Sequence, residues 1–398
     1  MSDDDFLLLN PGPVPLSESV RTAMDGEMVS HRSAEFEATY ERAQDGLDEI
    51  FTASTLSGES TGEGTSLVLN GTATMGMEMA VSNLVGPDDE VVALVNGKFG
   101  RRFARIADRY AQVKRVEVEW GQSFDLDAVE EAVTDDTALV TVVHNETSTG
   151  LLNPVSAIGD ITADHDALFV VDGVTSVGGD VFRIDDWGVD VAITDGQKAL
   201  AAPPGISAIF VTDRAAAVAR ERNEASDGEG IPFYSDMAWH LRKAESHQTP
   251  FTSAVPLFRA LAVAVEEIHE EGMPNRIERH RRQAKAFQEG FAALGLDPFP
   301  ETEGPTVRSN TLTAMSLPES IRGDDSTAFF DAVKERNVSI SGGQAHLGGD
   351  IFRVSNMGNL TPDQIARGVR TVGEALVDVG VDCDPEAGVT AVRDVLGE

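Results

Sequence analysis

Short apolar runs alternate with amphipathic stretches from residue 67 to residue 211. "SLVLN", "EVVALV", "VKRVEVE", "TALVTVVH", "ALFVVDG", "VDVAITD" and "ISAIFVT" predict strands. Their nearly continuous Val/Ile/Leu/Ala content fits strands buried on both faces, as parallel sheets require. Between them "ATMGMEMAVSNLV", "GRRFARIADRYA", "LDAVEEAVT" and "PVSAIGDITADH" predict helices. The alternation predicts the α/β class, with one large, mostly parallel sheet covered by helices on both sides.

The flanks read differently. "LLLNPGPVPL" holds three prolines in a short span and cannot be a helix interior, so residues 1–25 are expected to form an extended arm. "EFEATYERAQDGLDEIF" predicts a helix, and "TASTLSGESTGEGTS" an exposed loop. Two long helices are expected over residues 254–295. "NTLTAMSL", "STAFFDAVKERN", "VSI", "IFRVSN" and "PDQIARGVRTVGEALVDVG" then alternate again as a smaller α/β unit. The expected division is an arm over 1–25, a large domain over 26–270 and a small C-terminal domain over 271–398.

In open α/β sheets, function collects beyond the carboxyl ends of the strands. Those ends carry Asn70-Gly71-Thr72, Asn96-Gly97, His144-Asn145-Glu146-Thr147, Asp172 and Lys198. If the strands are neighbours, these polar groups converge.

Composition narrows the function. The 398 residues are 41% hydrophobic, enough for more than one core. The net charge is -36, from 67 acidic and 31 basic residues, and the pI is about 4.4. Such a chain repels nucleic acid and offers no basic cluster to an anionic membrane surface. The acid is spread along the chain, and lysine is scarce: Lys98, Lys114, Lys198, Lys243, Lys285 and Lys334. That balance suits a halophilic cytoplasm, where salt screens like charges. Cys383 is the sole cysteine, so neither an intramolecular disulfide nor a cysteine-based metal cluster is expected. "MSDDDFLLLN" is too acidic and too short in apolar residues for a signal peptide, and no window spans a membrane. The expected location is cytoplasmic.

One of those few lysines, Lys198, sits between "VDVAIT" and "APPG", where a buried strand meets a loop. A lysine there snorkels, forms a salt bridge, or loses its proton because desolvation disfavours the ammonium form. A neutral amine forms Schiff bases with carbonyls. Asp172, 26 residues upstream, ends a buried strand. It caps that strand, ligates a metal, or pairs with a cation such as the protonated pyridine nitrogen of pyridoxal phosphate. "NGTATMGMEMA" is either an ordinary N-cap or a phosphate cradle built on a helix N-terminus. The usual nucleotide fingerprints are missing, which argues against an ATPase or a dehydrogenase. Phe99 in "NGKFGRR" stacks on a flat ligand or fills the core, stacking being worth roughly 0.5–1.5 kcal/mol. Arg353 inside "IFRVSN" needs a carboxylate or phosphate, supplied either by an internal ion pair or by a substrate.

Together these residues resemble the class V aminotransferases, on the fold-type I pyridoxal-phosphate scaffold, and within them the alanine–glyoxylate and serine–pyruvate group. The resemblance runs nearly end to end through "LNPGPVPL", "SHRSAEF", "NGTATMGMEMA", "NGKFGRR", "HNETSTG", "VVDGVTSVGG", "DGQKALAAPPG", "FTSAVP" and "FRVSNMG". It implies that Lys198 binds the cofactor as a Schiff base and then moves the proton, while Asp172 pairs with the ring nitrogen. Thr72, Ala73 and Thr74 match the phosphate turn, Gln197 a further contact, Phe99 the stacking aromatic, and Thr147 a hydroxyl beside the ring. Arg353 matches the arginine for the substrate carboxylate. The resemblance also implies a homodimer with shared sites, in which Thr252 reaches the partner's phosphate.

Two departures stand out. Ala73 replaces the usual glycine of the phosphate turn, and His346 stands where many members carry a small residue or proline. His346 is either a loop histidine or a substrate contact.

The implied reaction is ping-pong transfer from alanine or serine to glyoxylate or pyruvate. A single carboxylate arginine favours small monocarboxylic acids, although Arg32, Arg101 and Arg102 leave aspartate open as a donor. The other readings are an archaeal-type aspartate aminotransferase, an epimerase or lyase on the same scaffold, and a catalytically dead structural dimer. A cysteine desulfurase is disfavoured, because Cys383 follows Arg353 instead of preceding it.

Overall fold

Seven strands form the large sheet, in the spatial order Thr65–Leu69, Ser207–Val211, Val191–Asp195, Leu168–Asp172, Thr137–Val143, Glu90–Val95, Gln112–Glu117. All neighbours run parallel except Ser207–Val211, which is antiparallel to both of its partners. The structure, a computed structural model, describes residues 5–397. Val, Ile, Leu and Ala bury the central strands almost completely, as expected of a sheet covered on both faces. Each apolar run of the sequence becomes one strand, within a residue or two.

The register brings chemistry together. Val143 pairs with Asp172, and Asp172 pairs with Ile193. The carboxyl ends of three neighbouring strands therefore lie side by side, followed by Thr147, Asp172 and Lys198. The helices Ala73–Leu84 and Lys98–Ala107 start at the same edge of the sheet.

Two hydrophobic cores organise the molecule. One gathers residues from Val20 to Ile277; the other gathers Leu7, Leu9 and residues from Ala286 to Val392. The helix Met273–Ala293 serves both, giving Met273 and Ile277 to the first core and Ala286, Phe287 and Phe291 to the second. The antiparallel strands Leu312–Ser316, Ile351–Ser355 and Ser341–Gly342 form a small sheet beside the second core. Phe36 and Phe258, with ring centroids 5.2 Å apart, lock the helix Ala34–Ala53 to the helix Val255–Glu271. Burying one such ring stabilises by about 1.5–3 kcal/mol.

The arm departs from the expectation of a wholly extended segment. Leu7–Leu8 pairs in parallel with Val338–Ser339, and a helix forms over Glu18–Met24. The prolines end at Pro15, and the Ser17 side chain then accepts from the Val20 N–H, which starts the helix. Residues 1–4 lie outside the described residues. Helices at Asp213–Ser226, Met237–Ala244 and Pro385–Leu396 have no counterpart in the pattern reading. Among the described residues no helix is long and apolar enough to cross a membrane.

Candidate active site

The strand ends open onto a cavity of ≈ 280 Å³. Thr72, Ala73, Thr74, Phe99, Thr147, Asp172, Gln197, Lys198 and Arg353 all line it. The sequence pointed to each of them. Thr252 does not line it; it is exposed, and its carbonyl oxygen lies 3.5 Å from Asn70 Nδ2 at the end of the strand that leads into the phosphate turn.

Lys198 is 8% exposed. Burial pushes its ammonium down to about 8, the charge of Arg353 acts in the same direction, and Asp172, Asp195 and Glu146 pull the other way. Its Nζ donates to the Pro11 carbonyl and lies 5.9 Å from the centre of the Phe99 ring. The arm is therefore part of the site, a role its proline pattern did not disclose. Pro11 and Gly12 line the cavity, and the Val14 N–H donates to the Gln197 carbonyl at 3.2 Å. Gly12 has φ +112°, and a Cβ there would stand 2.7 Å from Lys198 Cδ and Cε. The positive φ calls for glycine, and a Cβ would displace the end of the Lys198 side chain.

Asp172 is buried at the end of its strand and accepts the Val174 N–H at 2.9 Å. Burial pushes its carboxyl up to about 7, and Glu146 raises it further; the Val174 N–H, Lys198 and Arg102 oppose the rise. Above about pH 8 the lysine is neutral and the aspartate ionised. That is the state needed for an amine nucleophile opposite an acid that holds a ring cation.

The turn Thr72-Ala73-Thr74 holds one surprise. Thr72 is the N-cap of the helix Ala73–Leu84, and its side chain makes no capping bond. Instead the Ala73 N–H donates to Asp195 Oδ2 at 3.0 Å, and Gln197 Nε2 donates to the same oxygen at 2.8 Å. Asp195 ends the neighbouring strand, so the rule that found Asp172 also applied to it. Burial pushes its carboxyl up. Asp195 Oδ1 and Gln197 Oε1 are buried and have no hydrogen-bond partner among the described residues. Ala73 sits in ordinary helical backbone and not at positive φ, so the loss of glycine there costs no strain.

Glu146 anchors the backbone at Phe99. This buried carboxylate accepts the Phe99 and Gly100 N–H groups, both at 3.1 Å, at the start of the helix Lys98–Ala107. It also accepts the Ser148 N–H at 3.1 Å and the Ser148 hydroxyl at 2.5 Å. Burial raises its carboxyl, and those four donors oppose the rise.

Arg353 is 3% exposed, yet no carboxylate lies within 4.0 Å of it among the described residues. Its nitrogens donate to the Gly342 carbonyl at 3.2 and 2.7 Å and to the Thr147 carbonyl at 2.8 Å. Burial lowers it to about 10, with Glu146 opposing. A buried guanidinium without an anion is costly, and an acid entering the cavity would relieve that cost.

Other singled-out residues are placed elsewhere. His144 is buried, with Nδ1 2.9 Å from the Ser176 hydroxyl and its ring edge-on to Phe182 and Trp187; burial drops it to about 3, so it is a neutral core residue. Asn145 donates to Ser309 and Thr311 at 2.9 Å, and Asn96 donates to Asn153 at 2.8 Å. His346 packs on Trp120, ring centroids 4.6 Å apart, and does not line the cavity. Arg32 donates to Gln248 Oε1 and to the Thr249 and Pro250 carbonyls. Cys383 donates to the Gly373 carbonyl beside the second core, and burial and its two aspartate neighbours push the thiol up. Arg102 does line the cavity and donates to Thr74 Oγ1 at 2.9 Å.

An amine, an opposed acid, an aromatic face and a helix N-terminus flanked by hydroxyls fit pyridoxal phosphate. Fold and site together define a fold-type I pyridoxal-phosphate enzyme. The sequence signature described as Aminotransferase class-V matches residues 18–355, and the chain belongs to that family, in its alanine–glyoxylate and serine–pyruvate group. Its cofactor is therefore pyridoxal 5′-phosphate, and it is an enzyme that transfers amino groups between amino acids and 2-oxo acids. An uncharacterized aminotransferase of Methanocaldococcus jannaschii is 36% identical, over 98% of this chain and 97% of its own. The L-aspartate–glyoxylate aminotransferase of Paracoccus denitrificans is 30% identical, over 96% and 94%. The crystal structure of ureidoglycine–glyoxylate aminotransferase from Bacillus subtilis superposes with a TM-score of 0.88 at 27% identity, over 99% of this chain and 98% of that one.

Proposed function

We propose that this enzyme moves the amino group of alanine or serine to glyoxylate or pyruvate by a ping-pong mechanism. The observation that carries the reading is Arg353: a buried guanidinium with no acid partner among the described residues, on the same cavity as Lys198 and Asp172. Its fork takes the substrate's α-carboxylate through paired N–H groups. That anchor holds the α-carbon where the Lys198 amine can remove its proton. Bound pyridoxal phosphate supplies an electron sink for the pair left by that proton. Asp172, ionised, keeps the positive charge of the ring nitrogen in place. Lys198 Nζ then holds the proton and returns it one position away, and general acid–base catalysis of this kind contributes about 10²–10⁴-fold. Phe99 covers the ring face, and the Thr147 hydroxyl, 2.6 Å from that of Thr175, stands ready as a donor beside it. Gln197 and the turn Thr72-Ala73-Thr74 hold the phosphate. One arginine serves both acids in turn, so the first product leaves before the second substrate enters.

A homodimer belongs to the same reading. Phe233 is 74% and Tyr234 46% exposed, and both rings pack against Phe251, next to Thr252. Apolar rings at the surface favour burial against another copy, and Thr252 would then reach the partner's phosphate site. The unit over residues 271–398 brings Arg353 to the larger unit's strand ends.

The test is a panel of amino donors against glyoxylate, pyruvate and 2-oxoglutarate. Parallel double-reciprocal lines with alanine or serine as donor are expected. Intersecting lines rule out ping-pong, and no transfer with any pair ends the assignment.

A further inference from the structure

The loop that carries Lys198 is held from behind by a side chain outside the active-site cavity. Ala201 in that loop has φ +52°, and its N–H donates to the Lys198 carbonyl at 2.9 Å. A residue with a Cβ keeps such a left-handed conformation only where its surroundings fix it. Arg276, 5% exposed, supplies the fixture. Its Nη2 donates to the Ala199 carbonyl at 2.6 Å and its Nε to the Gly178 carbonyl at 2.7 Å. One guanidinium therefore spans the peptide after Lys198 and the glycine turn that follows the Asp172 strand. Its rigid fork fixes both carbonyls at once.

One carboxylate orients Arg276 and a second arginine. Glu271 ends the helix Val255–Glu271, Gly272 turns the chain at φ +78°, and Arg276 and Arg279 follow on one face of the helix Met273–Ala293. Glu271 accepts from Arg276 Nη1 at 2.8 Å and from Arg279 Nε and Nη2 at 2.6 and 3.0 Å. Burial acts to raise its carboxyl, but Arg279 and Arg276 outweigh burial and hold it below the ordinary value. Arg279 Nη1 donates to the Gly358 carbonyl at 3.0 Å, in the loop that leaves the strand of Arg353. Met357 of that loop packs with Ala199 and with Val14 of the arm. The loop after the lysine and the loop after the carboxylate anchor are thus tied to one ion-pair cluster, at the start of the helix that joins the two cores.

We propose that Arg276 is a positioning residue for Lys198. With Glu271 and Arg279 it fixes the lysine's backbone against the loop behind Arg353, and so sets the separation between the amine and the carboxylate anchor. The assignment rests on the roles proposed above for Lys198 and Arg353. A substrate held by its carboxylate presents its α-carbon at one place, and a misplacement near 1 Å costs about 10²-fold in rate. Arg276 also lines a separate cavity of ≈ 760 Å³, together with Glu271, Arg279, Pro15 and Leu200. A small cation entering that cavity can reach the place of its head group.

The test compares wild type, Arg276→Ala and Arg276→Lys, each as apoenzyme and holoenzyme. The Arg276→Ala apoenzyme is expected to react with pyridoxal phosphate about tenfold more slowly, as followed by absorbance. Its kcat is expected to fall about 10–100-fold while the donor KM stays within about threefold. Millimolar guanidinium chloride is expected to restore most of both rates, and sodium chloride at equal ionic strength to restore neither. Arg276→Lys keeps the charge beside Glu271 and lacks the fork, so it is expected to stay slow. It also carries the test if Arg276→Ala does not fold. Wild-type rates in either variant overturn the proposal. So does a slow Arg276→Ala that guanidinium leaves slow, which would make Arg276 structural only. A raised KM with kcat unchanged overturns it as well, by placing the effect at Arg353. Indifferent variants beside a wild type that transfers amino groups remove the clamp and leave the transaminase standing. A wild type without a borohydride-reducible link at Lys198 removes the lysine's role and the clamp together.

Discussion

Lys198 carries a conflict between stability and chemistry. Its folded value, about 8, lies below the ordinary 10.5, so the buried charge costs stability at every pH below about 8. The cost falls as pH rises from about 8 to 10.5 and is gone above 10.5, where the unfolded chain also loses the proton. Near pH 7 the shift corresponds to about 3 kcal/mol. Lys198→Met removes the charge and keeps the apolar bulk. The variant is expected to form no borohydride-reducible link to pyridoxal phosphate, to lose activity about a thousandfold, and, compared with wild type as apoenzymes, to melt a few degrees higher near pH 7. A reducible link in the variant, or a lower melting temperature, would contradict this account. Asp195 poses a second residue-scale question. It holds the Ala73 N–H that a phosphate would also seek. Asp195→Asn keeps an acceptor there and removes the negative charge. The apoenzyme variant should bind inorganic phosphate roughly tenfold more tightly than wild type at about pH 8, as measured by calorimetry. Equal or weaker binding would show that Asp195 does not compete for the turn.

Among the elements, the helix Lys98–Ala107 depends most visibly on a residue outside itself. Its N-cap, Gly97, offers no side chain, and Glu146 from the adjacent strand end takes the orphan N–H groups instead. A Cβ at Gly97 would meet Glu146 Cγ at 2.2 Å, which explains the glycine. Glu146→Ala leaves three N–H groups and one hydroxyl without their acceptor. We expect a loss of about 3 kcal/mol in denaturant unfolding, together with weaker cofactor retention, because Phe99 is the second residue of this helix. Unchanged cofactor affinity would separate Phe99 from its proposed stacking role.

At the scale of the whole molecule, the proposed dimer has a direct test. Thr252→Glu places a negative charge where a partner's phosphate is expected. Mixed and exchanged with Lys198→Ala, it should regain activity that neither variant shows alone, because one hybrid site then combines an intact lysine with an intact Thr252. No rescue would confine Thr252 to its own chain.

The legible part of the fold was local. Near-continuous Val/Ile/Leu runs marked the buried strands, because a strand covered on both faces leaves no polar positions to break the pattern. Asp172 and Lys198 could be placed at one edge of the sheet because each follows such a run, although each charge taken singly also had bland explanations. The helix over Glu18–Met24 was hidden behind three prolines, although its capping serine was in plain view. Amphipathic order along one element says nothing about which distant segment comes to rest on it, and the arm shows the consequence. Nothing in "NPGPVPL" states that Pro11 will accept from Lys198 Nζ.

The sequence by itself therefore determined the strands, the α/β class and the groups able to do chemistry, since each of these follows from neighbours within one turn or one run. Tertiary structure alone decided their company. It left Arg353 without an acid among the described residues, gave Glu146 to a helix start, seated Asp195 on the Ala73 N–H and laid the arm across the lysine. Those outcomes depend on strand order and long-range packing, where contacts span hundreds of residues and no local periodicity encodes them.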